Sequence, residues 1–180
     1  AMNGTHYFEL FRWLTGEAPV EVSAWLSPDP VANPRGPEFE DASGSVRLTV
    51  PSGKRFYMDI SADQGHGIKV IYSGRNGQLV TDELEGKIEV SMRSFEDRSL
   101  PTTRYSMPSE ERLIQVEPAD STGPSRAVLH ALLRDENAPT GEDGRQAVTA
   151  LVAAYVSNSN GHVPVRLDGE LPRHRVFPWA

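Results

Sequence analysis

Hydrophobic residues recur at helical spacing in the first part of the chain. The apolar positions follow the pattern i, i+3, i+4, i+7 of one helical face, at Tyr7, Leu10, Phe11 and Leu14. The pattern predicts a helix that is capped by Thr5 and ends at Gly16. Phe8 and Trp13 add apolar surface on other faces, so we expect this helix to be covered on more than one side.

Two further helices are predicted near the other end. Pro124, a residue suited to a first helical turn, opens a helical stretch that runs to about Asp135. Thr140-Gly-Glu-Asp143 resembles a capping box, with Asp in place of the usual Glu or Gln. It begins a strongly apolar helix that we expect to end near Gly161.

Between these helices, short alternating runs indicate β-strands joined by turns. The six runs are 21–26, 45–50, 55–62, 68–72, 78–81 and 87–92. The Asn76-Gly77 pair is a strong hairpin signal, whereas the four prolines of 28–37 argue against a central strand. A weaker pattern at 112–116 indicates another strand, and 163–167 is predicted as a last short strand. The chain is therefore predicted to be one α+β domain over 1–180, with a single, mainly antiparallel open sheet of about six strands and helices packed on one face.

Composition excludes several classes of protein. The 180 residues carry a formal charge of -7 without a Lys/Arg cluster, which argues against a nucleic-acid partner. The most apolar stretch, Ala147 to Val156, is about half the length that a membrane-spanning helix needs. The absence of an export signal makes a cytoplasmic location the default expectation.

The candidate chemistry rests on few side chains. With no cysteine and no paired histidines, the sequence predicts no metal site. We interpret Gly65-His66-Gly67 as a turn, because it lacks the third glycine of a dinucleotide fingerprint. A structural or surface role is expected for His66, His130, His162 and His174. Arg104 and Tyr105, in a long irregular stretch, are candidates to line a sugar pocket.

His6 differs from the other histidines because of the segments around it. Asn3–Glu17, with Leu14-Thr-Gly16 at its end, and Val20–Ala24 resemble the start of the C-terminal domain in the Gfo/Idh/MocA (glucose–fructose oxidoreductase and inositol dehydrogenase) family. Thr140–Ala147 and Asn160–Leu167 resemble that domain's closing helix, glycine stop and short strand. The resemblance covers most of the chain.

The resemblance implies a role in a two-domain dehydrogenase. Family members transfer hydride between NAD or NADP, held on an N-terminal Rossmann domain, and a sugar, cyclitol or similar polyol. It implies that His6 acts at the reacting hydroxyl and that Asn3 is a substrate-binding wall of the same site. The chain is then a substrate-binding and oligomerisation domain that binds no cofactor itself, and no turnover is expected without the missing Rossmann domain of the same or another chain.

Two departures leave alternatives open. The family acid four residues before the histidine falls at Met2, and the Glu-Lys-Pro lysine has no equivalent here. Met2 is either a start codon written over the natural residue or the mark of a degenerate member of the family. A separate alternative for His6 itself is a helix-start histidine that is hydrogen-bonded to the backbone. The alternative function is a non-catalytic dimeric scaffold or sugar-binding module, which pairs through its sheet face and partners a separate chain.

Overall fold

The structure, a computed structural model, describes residues 3–32, 36, 38–61, 67–103, 108–117, 120, 122–134, 136, 138–172 and 174–179, with backbone alone at 30–32. It divides the chain into two compact units, Ala1–Gln64 with Ala138–Ala180, and Gly65–Asn137. Met2, His66, Arg104 and Tyr105 lie outside the described residues. None of the described helices is both long and apolar enough to cross a membrane.

The first unit consists of a four-stranded antiparallel sheet and two helices. The helices are α1 (Gly4–Thr15) and, later in the chain, α3 (Gly141–Ser159). The strands, in the sheet order β3-β2-β1-β8, are β1 (Glu21–Ala32), β2 (Glu40–Thr49), β3 (Arg55–Ile60) and β8 (Val165–Arg166). The core lies between the helices and one face of this sheet, where Val22, Leu48 and Leu151 are at most 2% exposed.

The second unit consists of another four-stranded antiparallel sheet, a short 3-10 helix and α2 (Gly123–Leu133). Its strands pair in chain order as β4 (Lys69–Gly74), β5 (Gly77–Asp82), β6 (Lys87–Arg93) and β7 (Ser109–Gln115). The 3-10 helix spans Glu96–Ser99. In the described part of this unit no side chain is fully buried.

The α+β class and the antiparallel pairing are confirmed. The strands differ from the prediction in that they number eight among the described residues and form two sheets rather than one. β1 also continues through Pro28 and Pro30, where we expected no strand. Its register with β2 shifts between Leu26 and Pro30, and such a bulge tolerates residues that cannot donate a ladder hydrogen bond.

The free edge of β1 is bonded by side chains of α3 instead of by another strand. Beyond Val22, where pairing with β8 stops, the Ala24 N–H donates to Ser157 Oγ at 3.0 Å. The Leu26 N–H donates to Asn158 Oδ1 at 2.8 Å, and Ser157 Oγ in turn donates to the Val163 carbonyl at 2.7 Å. The last turn of α3 therefore satisfies backbone donors that would otherwise be buried without partners.

Candidate functional site

The candidate site lies at the first turn of α1. Asn3 is the N-cap residue, and its carbonyl accepts the backbone N–H of His6 at 3.2 Å. Asn3 makes no side-chain cap bond, and Thr5, the predicted cap, lies inside the helix. The Thr5 prediction is therefore wrong, because the chain turns helical two residues earlier than expected. The predicted end at Gly16 is confirmed, with φ of 68° and a hydrogen bond from its N–H to the Arg12 carbonyl.

Close packing fixes the start of α1 against the sheet. Gly4 is buried, and a Cβ atom at this position would lie 2.7 Å from Met58 Cε. One turn later, Phe8 is 1% exposed and packs edge-on against Phe56 of β3, with ring centroids 5.9 Å apart. Phe11 contacts the same ring at 5.5 Å. The helix axis is therefore held by aromatic contacts near the candidate site.

The opposite side of α1 carries His6. At 100° per residue, His6, Leu10 and Trp13 share one face, roughly 200° around the helix from Phe8. His6 is exposed, and Trp13 is 72% exposed. Of the predicted face of Tyr7, Leu10, Phe11 and Leu14, Tyr7 and Phe11 pack against the core, whereas Leu14 is 48% exposed. Two apolar stripes run along α1, and the sheet covers the stripe that begins with Gly4.

An ion-pair cluster joins α1 to α3. The Arg12 guanidinium donates from Nε to Glu9 at 2.8 Å and from a terminal nitrogen to Asp143 at 2.5 Å. Asp143 also closes the predicted capping box of α3, accepting the Thr140 N–H at 2.6 Å, and the box is thereby confirmed. The hydrogen bonds from Thr140, and then the charge of Arg12, lower the pKa of Asp143 below its ordinary value. This cluster joins α1, which carries His6, to the first turn of α3.

The imidazole of His6 has no hydrogen-bond partner among the residues that the structure describes. The described residues therefore do not show the alternative interpretation of His6, in which its imidazole is hydrogen-bonded to the backbone. His6 and Asn3 lie one turn apart at the same helix start, both exposed. No group of three His, Asp or Glu side chains in the described ranges is arranged to hold a metal ion.

Comparison with known proteins defines the class. An oxidoreductase family model, described as its C-terminal alpha/beta domain, matches residues 2–167. The chain therefore belongs to the Gfo/Idh/MocA oxidoreductase family, as the motifs around His6 and Thr140 indicated. No curated protein matches the chain.

Solved structures agree on the fold. A putative NADPH-dependent oxidoreductase from Desulfitobacterium hafniense is 17% identical, with a TM-score of 0.66, over 91% of this chain and 46% of its own. An aldose-aldose oxidoreductase from Caulobacter crescentus, complexed with glycerol, is 23% identical, with a TM-score of 0.63, over 91% and 45%. A levoglucosan dehydrogenase, complexed with NADH and levoglucosan, is 14% identical, with a TM-score of 0.61, over 92% and 49%. The chain spans about half the length of these structures.

Proposed function

We propose that this chain is the substrate-side domain of an NAD- or NADP-dependent dehydrogenase that acts on a sugar, a cyclitol or a similar polyol. The observation that carries the proposal is one face of α1, which holds the exposed residues His6 and Trp13 and the half-buried Leu10. A face that is apolar and topped by a titratable group is typical of one wall of a site closed by another domain. In this proposal a Rossmann domain, of the same or another chain, covers that face.

The residues of this chain supply the proton chemistry. Oxidation of an alcohol needs a base for the hydroxyl proton as hydride leaves carbon, and imidazole suits that task near neutral pH. His6 accepts this proton, and Asn3 hydrogen-bonds a neighbouring hydroxyl from the N-cap position. A nicotinamide cofactor bound on the other half would supply the hydride acceptor. The ion pair between Arg12 and Asp143 joins α1, which carries the imidazole, to α3.

Substitution of His6 in a two-domain parent that contains this chain tests the assignment. We expect His6→Asn to lower kcat by about 100-fold or more, the usual contribution of a general base, without changing the affinity for the cofactor. His174→Asn, at another exposed position, is the matched control. Equal kcat values for the two variants on a panel of sugars and cyclitols would refute the role of His6. For the chain alone, added NADH is expected to leave Tm unchanged.

A second candidate function is a dimeric scaffold or sugar-binding module that partners a separate chain. The observation in its favour is an apolar face on the sheet of the second unit. The strand registers place on that face Val70, Tyr72, Leu79, Ile88, Val90 and Ile114. These side chains are half-buried or exposed, and uncovered apolar faces of this kind mark protein interfaces. In this proposal a second copy covers the face.

Light scattering distinguishes this candidate from the first. If the face pairs two copies, the chain is a dimer, and a charge in the middle of the face, Val90→Lys, makes it monomeric. Glu89→Lys places the same charge on the opposite face of the same strand and is expected to leave the dimer intact. A wild-type chain that is strictly monomeric at all concentrations would refute the scaffold.

A further inference from the structure

The last residues that the structure describes, 174–179, run into the core of the first unit. They lie after residues 2–167, over which the family match extends, so that match does not account for them. Phe177 and Trp179 are 5% and 8% exposed and belong to the hydrophobic core, whereas Val176 is 85% exposed. We propose that these residues, here named the latch, are a peptide ligand held in a groove of their own chain. Once emptied, the same groove binds a free peptide that carries the sequence pattern aromatic-proline-aromatic.

Three aromatic rings form the contact between the latch and the groove. Phe177 and Trp179 stack with their ring centroids 4.4 Å apart. The ring of Tyr155, on α3, lies 4.6 Å from the Trp179 ring and 5.7 Å from the Phe177 ring, measured between centroids. Ring pairs at these distances stabilise a contact beyond the area that they bury. Burial and, to a lesser degree, the charge of Asp41 raise the pKa of the Tyr155 phenol to about 12, as expected of a ring that the latch shields from water.

The backbone of the latch meets the start of β2. The Pro178 carbonyl accepts the Glu40 N–H at 2.9 Å, at the first residue of that strand. Pro178 and Trp179 lie in a turn, where proline is favoured because its ring fixes φ. The Arg175 guanidinium lies over the Phe177 ring, 5.2 Å from its centroid, in a cation–π contact. These contacts all come from 175–179, so a short peptide of the same sequence can reproduce them.

The side chains of the latch alternate between the groove and the solvent. Phe177 and Trp179 are buried, and Val176 and Pro178 are exposed. In peptide recognition, main-chain hydrogen bonds supply affinity and pockets for alternate side chains supply specificity. The groove has both features. We therefore expect it to select peptides by the two aromatic positions and to tolerate changes at Val176.

Thermal unfolding of the full chain, with and without a peptide, tests the proposal. Trp179→Ala is expected to lower Tm by roughly 6–20 °C, as truncation of a buried aromatic side chain does. Val176→Ala is the control in the same segment and is expected to leave Tm unchanged. A peptide with the sequence of residues 175–180 is expected to raise the Tm of Trp179→Ala in a saturable way. The wild type gains far less, because the attached latch already fills the groove at an effective concentration on the order of millimolar.

Two further measurements make the test specific. A second peptide, in which alanine replaces both aromatic residues, is expected to change the Tm of neither chain. In NMR spectra of the variant, the first peptide is expected to shift the Glu40 amide in a saturable way, because this N–H bonds the Pro178 carbonyl. Trp179→Leu keeps part of the buried volume and is the second variant, to be used where Trp179→Ala does not fold.

Three results would overturn the proposal. The first is an equal Tm of Trp179→Ala and Val176→Ala, since the latch then contributes nothing to the fold. The second is a peptide that leaves the Tm and the Glu40 amide of both Trp179 variants unchanged at millimolar concentration, since the segment is then a fixed part of the core. The third is an equal rise in Tm for wild type and variant, since the peptide then binds elsewhere. His6→Asn is expected to change none of these results, so they do not depend on the dehydrogenase proposal.

Discussion

Removal of one buried hydroxyl is expected to destabilise the first unit. Ser157 is 0% exposed, and its Oγ accepts the Ala24 N–H while donating to the Val163 carbonyl. Ser157→Ala deletes both hydrogen bonds without removing any apolar contact. Ala24 is 4% exposed, so water does not replace the lost acceptor, whereas Val163 is 50% exposed and its carbonyl is more readily hydrated.

The size of the expected loss in stability follows from the Ala24 N–H, which the substitution leaves without an acceptor. A buried N–H left without a partner costs about 1–3 kcal/mol, and the hydrated carbonyl adds little. For a chain of this size, each kcal/mol lowers Tm by roughly 2–4 °C. Ser159→Ala is the control, because Ser159 is exposed on the same helix and its substitution is expected to change stability by less than about 0.5 kcal/mol.

Urea unfolding of the two variants measures the difference. Because the chain has two units, hydrogen exchange at the Ala24 amide is the more specific measurement, since it reports on the first unit alone. We expect this amide to exchange faster in Ser157→Ala than in Ser159→Ala by a factor that corresponds to the loss in stability. Equal exchange rates and equal urea midpoints would show that the hydrogen bond to β1 contributes nothing.

Two further predictions concern the sheet and its surroundings. Gly44→Ala is expected to destabilise the chain by more than about 1 kcal/mol, because Gly44 has φ of 146° and a Cβ atom there would lie 2.2 Å from the Trp25 carbonyl oxygen. Thermal unfolding measures the effect, and Gly141→Ala is the control because a Cβ atom at Gly141 meets open space. Hydrogen bonds from Lys54 and Ser52 lower the pKa of Glu17 from 4.5 to about 2. This stabilisation is present above pH 4.5 and is lost as the pH falls toward 2, so Glu17→Gln is expected to flatten the acid limb of a stability–pH curve; an unchanged limb would contradict it.

Local signals predicted much of the fold. The capping box at Thr140 and the turn near Asn76 depend on residues close in sequence, and both form, although the two-residue turn is Arg75-Asn76 and begins one position earlier than the Asn-Gly pair suggested. The proline-rich continuation of β1 was missed, because local propensity does not show a bulge that is set by the partner strand. The division of the strands between two sheets depends on which strands pair with each other, and short-range sequence patterns do not show that pairing.

The sequence also predicted some features of the candidate site and missed others. His6 was identified by resemblance to the family. Its exposure follows from its place on α1, and the two apolar stripes of this helix are indicated in the sequence by Phe8 and Trp13. The neighbours across the outer face of the first sheet had no sequence signal. Arg47 and Tyr57 become neighbours of Trp25 only through the register of three strands, and His162 joins them through a bond to the Ala24 carbonyl, 138 positions away.

The bond between Ser157 and β1 also bears on how the chain is made. The two bonded residues are 133 positions apart, so the ribosome synthesises β1 long before the helix turn that covers its edge. At 5–20 residues per second the delay is roughly 7–27 s. During that time the nascent strand has open backbone donors that neighbouring nascent chains can pair with. We therefore expect chaperone supply and growth temperature to affect the yield of the protein during expression more than they affect the stability of the folded protein.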